Sequence, residues 1–82
     1  MATKEKKYEE GADSRGNHFF EFKMLNEEKV RVTYVKKGWP GGPTVRFQIR
    51  QKNGQLRRGP DVPLENMGEV LQAVVELVRK QP

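Results

Sequence analysis

The sequence predicts an α+β domain, a four-stranded antiparallel β-sheet followed by one C-terminal amphipathic helix. Three observations predict it. Apolar side chains alternate at a two-residue period in separate runs between residues 18 and 62. Glycine, proline and asparagine punctuate those runs at short intervals. Past Asn66 the apolar period changes to that of a helix.

The elements follow in chain order. Residues 1–17 are polar, carry no apolar period and are broken by Gly11 and Gly16, so a disordered arm is expected there, with the folded domain over residues 18–82. A first strand is expected over His18–Leu25, with Phe20, Phe22 and Met24 on one face. A second is expected over Lys29–Lys37, where Val30, Val32 and Tyr34 alternate with polar residues. Gly38-Trp39-Pro40-Gly41-Gly42-Pro43 then breaks the pattern, because its prolines lack the amide a ladder needs. The third strand, Thr44–Lys52, ends at Asn53-Gly54, which suits a type I′ hairpin turn. A fourth, from Gln55 to about Val62, contains Gly59-Pro60, read as a bulge or edge break. The short turns imply a meander. Met67, Val70, Leu71, Val74, Val75 and Val78 form the stripe of a helix over about Met67–Lys80, expected to be core. Leu77 lies off that stripe and would suit a partner helix. Asn66, with Glu69 three residues on, has capping-box spacing.

Charge is concentrated within this frame. The chain of 82 residues carries a formal +5, all of it beyond residue 17. Between Lys29 and Arg58 stand nine basic side chains and no acidic one. The alternation places Lys29, Arg31, Thr33, Val35 and Lys37 on one face of the second strand, and Thr44, Arg46, Gln48, Arg50 and Lys52 on the same face of the third. Facing rows of like charge repel by roughly 0.2–1 kcal/mol per opposed pair, which a bound polyanion would offset. A cationic sheet face beside aromatic residues is the chemistry of a single-stranded nucleic-acid binder.

With no cysteine and one histidine, His18, neither a disulfide framework nor a metal site is expected. No catalytic set or phosphate-binding glycine loop is suggested, so the expectation is a non-enzyme with no cofactor and no small-molecule substrate. No apolar run is long enough to cross a bilayer, and no signal-type segment follows Met1. An intracellular location without a membrane partner is expected. A chain this short builds a small core, which argues for oligomerisation.

Val45-Arg46-Phe47-Gln48-Ile49-Arg50-Gln51, then Arg57-Arg58-Gly59 with Val62 and Leu64, resembles the strands of the single-stranded DNA-binding domain of the transcriptional coactivator PC4/p15, a fold related to the Whirly and Pur-alpha proteins. The resemblance spans about residues 18–80. Gln51 stands where the family has glutamate, and Lys52-Asn53-Gly54 replaces its aromatic loop. Phe19-Phe20-Glu21-Phe22-Lys23 also resembles the first strand of Pur-alpha proteins. The resemblance implies a curved sheet, a homodimer joined through helices and sheets, and a role in transcription, replication or repair; little sequence preference is expected, because stacking and phosphate contacts carry little base information. It also places Trp39 at an aromatic position of the family's second turn, where it would stack on a base; the alternative is a lid on the core or dimer seam. Phe19 and Tyr34 are expected to be core, and His18 an ordinary surface residue. Arg57 and Arg58 are expected to clamp phosphate, or else to form an exposed turn. The candidate contact residues are therefore Lys29, Arg31, Thr33, Lys37, Trp39, Arg46, Gln48, Arg50, Lys52, Arg57 and Arg58. The competing readings are an RNA-binding module or RNA chaperone on the same face, and an adaptor docking an acidic protein.

Overall fold

The structure, a computed structural model, describes residues 8–39 and 41–82. Its strands are β1 (Tyr8–Ala12), β2 (His18–Lys23), β3 (Lys29–Val35), β4 (Thr44–Arg50), β5 (Leu56–Arg57) and β6 (Asp61–Pro63). A 3-10 turn (Leu64–Asn66) then leads into helix α1 (Met67–Arg79). Every pairing is antiparallel in the order β1-β2-β3-β4-β5, with β6 also on β4. The α+β meander with a C-terminal helix is as expected, but the sheet has more than four strands.

Two differences account for the count. Tyr8–Ala12 was expected in the arm and instead forms β1, so the boundary at residue 18 does not hold. The Tyr8 ring packs on Phe20 and Phe22 of β2, with ring centroids 5.1 and 5.6 Å apart. Residues 1–7 of the expected arm lie outside the described residues. The expected fourth strand is split into β5 and β6 by Arg58-Gly59-Pro60. This break still follows β4, because the Phe47 N–H donates to the Pro60 carbonyl at 3.0 Å. A Cβ at Gly59 would overlap the Phe47 carbonyl oxygen, so only glycine allows the approach.

One loop design serves all four hairpins. The segments 13–17, 24–28, 38–42 and 51–55 each close with two backbone bonds. The first residue's N–H donates to the fifth residue's carbonyl, and the fourth residue's N–H to the first residue's carbonyl, at 2.7–3.2 Å. The fourth residue has positive φ in each, namely Gly16, Glu27, Gly41 and Gly54. Asn53 does not, so the last hairpin is a type I turn closed by a left-handed glycine and not the type I′ turn expected.

Helix α1 begins at Met67 as expected, but Asn66 makes no side-chain cap bond. The preceding 3-10 turn already holds Asn66 in helical backbone, which removes the extended conformation a cap residue needs. The helix stripe is not core within this chain. Met67 is buried, whereas Leu71, Val74, Val75, Leu77 and Val78 are each at least half exposed.

The sheet's apolar face is only partly covered. Register puts Tyr8, Phe20, Phe22, Val30, Val32, Tyr34, Val45, Phe47, Ile49 and Val62 on one side, and none of them is buried. Tyr34, expected in the core, is exposed. The best-buried strand residues, Glu21, Thr33, Val35 and Thr44, belong to the opposite, polar side. Clefts on that side are lined jointly by the β1–β2 loop and by residues 56–61 at the far edge, so the sheet curls around its polar face.

Candidate nucleic-acid interface

Register decides which charges share the concave face. Glu21 of β2 pairs across the ladder with Arg31 of β3, and Asp61 of β6 with Arg46 of β4. The face that looked free of acid from residue 29 to 58 is therefore supplied with carboxylates by the strands on either side. The Glu21 carboxylate accepts from Arg31 Nε at 2.7 Å and from Arg50 Nε at 2.9 Å. Asp61 takes a bidentate pair from Arg46, Nε at 2.7 Å and Nη2 at 3.0 Å, and the Thr44 hydroxyl lies 3.5 Å away. Lys29 reaches Glu9 at 3.4 Å.

The side chains of Glu21 and Asp61 are each only 4 % exposed. Burial pushes the Glu21 carboxyl up, but the hydrogen bonds and charges of Arg31 and Arg50 together outweigh it, and the group sits below the ordinary carboxylate range. Asp61 is held low chiefly by its Arg46 hydrogen bonds against an opposing burial effect, and the Trp39 backbone N–H adds to the depression. Arg46 is correspondingly raised by Asp61.

Facing cationic rows are largely absent. Arg31 stands opposite Gln48 and Arg46 opposite Thr33, leaving Lys29 against Arg50 as the one like-charged pair between β3 and β4. The repulsion expected between the rows is thus relieved inside the chain by Glu21 and Asp61, without need of a polyanion.

The expected contact residues divide into groups. Lys29, Arg31, Arg46 and Arg50 are on the concave face, each tied to a carboxylate. Arg31 also stacks its guanidinium on the Phe19 ring, 3.8 Å from the centroid, so that ring already has a cation on it. Thr33 is 2 % exposed and its hydroxyl has no hydrogen-bond partner among the described residues, so it is not open to a ligand. Gln48 lines the clefts with Arg46. Lys52 is exposed in the β4–β5 loop. Lys37 and Arg58 line the clefts with no carboxylate in salt-bridge range among the described residues. Arg57 shares the face of Ile49, opposite to the groove, so Arg57 and Arg58 do not act as one clamp. Trp39 stands 83 % exposed at the rim.

The sequence reading missed Arg15. The β1–β2 loop carries it to the same clefts as Arg46 and Gln48, with no carboxylate partner among the described residues. Asp13 fixes that loop, accepting from the backbone N–H groups of Arg15 and Asn17 at 2.9 Å each and from the Asn17 amide at 3.2 Å. These bonds, led by the Asn17 backbone, hold the Asp13 carboxyl below its usual range. Asp13 and Gly16 at the spacing of a hairpin loop were the available signal. Among the described residues no cluster of side chains suits a metal, and no helix is long and apolar enough to cross a membrane. The chain matches no protein-family model, no curated protein and no solved structure.

Proposed function

We propose that this chain binds single-stranded DNA, with little sequence preference, along the concave face of its sheet. The observation that carries the reading is Trp39, a large aromatic ring left bare at the rim of a groove that also presents three cations, Arg15, Lys37 and Arg58, with no carboxylate in salt-bridge range among the described residues. A single strand offers phosphates to such cations and base faces to such a ring, and stacking contributes roughly 1–3 kcal/mol per base. Duplex DNA keeps its bases stacked inside and gives Trp39 nothing to stack on. The PC4-like strand pattern supports the same reading.

The binding unit is a homodimer. Among the described residues the α1 stripe is open and the apolar sheet face only partly covered, and a monomer rarely leaves so much contiguous apolar surface open. A second copy supplies the missing layer by symmetry.

Fluorescence anisotropy of labelled oligo-dT, oligo-U and matched duplex tests the binding. The expected order is oligo-dT well ahead of duplex, with Trp39 emission quenched by the strand. Equal affinity for duplex, or no binding at low salt, overturns it. Stronger binding to oligo-U would move the assignment to RNA. Sedimentation at micromolar protein should give twice the chain mass, and a monomer mass would remove the dimer.

A further inference from the structure

We infer that the groove contains a discrete subsite for one nucleotide, its phosphate held between Arg15 and Arg58 and its base laid on Trp39. The inference rests on the single-strand reading and adds a fixed point to it. Arg15, Trp39, Arg46, Gln48, Arg58 and Asp61 line a single cleft of about 470 Å³, within the roughly 300–1,000 Å³ usual for small-molecule pockets.

The division of charge inside the cleft selects the ligand. Arg46 is committed to Asp61 by two short hydrogen bonds, so its charge is already answered. Arg15 and Arg58 come from opposite edges of the curled sheet and have no such partner among the described residues. Two unanswered guanidiniums across one cleft suit a phosphate, which can take paired N–H donors from each.

Both arginines also leave anchored backbone. The Asp13 carboxylate ties down the loop of Arg15. The Gly59-Pro60 contact with Phe47 fixes the bulge of Arg58. Backbone anchored in this way lowers the ordering cost of gripping a phosphate. Trp39 on the same cleft presents a π-face next to that phosphate, as one nucleotide requires. Gln48 adds an amide that can meet a base edge.

The test uses the full chain and Trp39 emission excited near 295 nm, titrated with thymidine monophosphate and separately with thymidine. The monophosphate should quench saturably, and thymidine, which lacks the contacts to both arginines, should bind roughly 25- to 100-fold more weakly. Arg15→Ala and Arg58→Ala should each weaken the monophosphate by about five- to tenfold. Arg79→Ala, which removes an equal charge on α1, should leave it unchanged. Circular dichroism confirms that each variant is folded. Inorganic phosphate should compete with the monophosphate and produce no quenching itself. Equal binding of thymidine and its monophosphate, or indifference to Arg15→Ala, overturns the subsite. If oligo-dT still binds in that case, the single-strand reading stands; if oligo-dT fails as well, both are lost.

Discussion

Replacing Glu21 with glutamine should make the protein less stable and a better binder at once. Glu21 carries two hydrogen bonds, 2.7 Å from Arg31 and 2.9 Å from Arg50. Bonds to charged partners contribute roughly 1.5–3 kcal/mol each, and breaking a fully buried pair costs about 3–5 kcal/mol. Two features reduce the loss here. Glutamine keeps one oxygen to accept from a guanidinium, and Arg31 and Arg50 are 13 % and 30 % exposed, so water reaches both. About 2 kcal/mol remains, which for a domain of this size lowers Tm by roughly 8–16 °C. In the groove the same change removes one negative charge beneath two cations. On a single strand, one additional cation free to neutralise phosphate steepens the salt dependence of log affinity by about 0.7. Between 50 and 200 mM salt that slope is a change of about 2.6-fold in affinity relative to the parent protein. Thermal melts at fixed protein concentration and oligo-dT anisotropy across a salt series read the two effects separately. Lower stability with lower affinity and an unchanged slope would refute the reasoning, because Glu21 would then act by holding the arginines in place and not by offsetting their charge.

The remaining predictions concern the carboxylates, one turn and one buried hydroxyl. Glu21, Asp13 and Asp61 all have carboxyls depressed in the folded state, so their contribution is complete above their ordinary values of 4.5 and 3.8 and is lost as pH falls through the lowered ones. Melts from pH 7 to 2 should hold steady to about pH 4.5 and then fall, less steeply in Glu21→Gln; a loss starting above pH 6 would need another cause. Glu27 alone among the four loop residues of positive φ is not glycine, with φ of 69°. Glu27→Gly should therefore raise stability by up to about 1 kcal/mol, and a lower Tm would refute the strain argument. Thr33→Val keeps the branched shape and removes a buried hydroxyl without a partner, so its Tm should rise or stay level; a clear fall would show that the hydroxyl is satisfied.

Much of the sheet was legible because alternation is a local signal. β2, β3 and β4 start where the sequence predicts and each ends two residues short of the predicted strand, on the way into the loops. β1 was not legible. Tyr8-Glu9-Glu10-Gly11-Ala12 has a single large apolar side chain, and it is held by rings of β2 that no local window contains. The candidate site was half legible. The cations could be counted from the sequence, but their neutralisation could not. Glu21 lies 10 residues from Arg31 and 29 from Arg50, and only the register brings the three together. The α1 stripe was visible as an apolar face, but amphipathicity does not tell whether the cover comes from the same chain.

The meander has a consequence for synthesis. Strands β1 to β5 pair only with their neighbours in sequence, through closures of five residues, and β6 alone reaches past β5 to pair with β4. Hairpins of this kind form in roughly 1–10 μs, whereas a ribosome adds about 5–20 residues per second. Each of β2 to β5 thus meets a finished template as it emerges, ahead of α1. The nascent chain would build most of its sheet before its exposed helix, the surface most prone to unwanted association, follows.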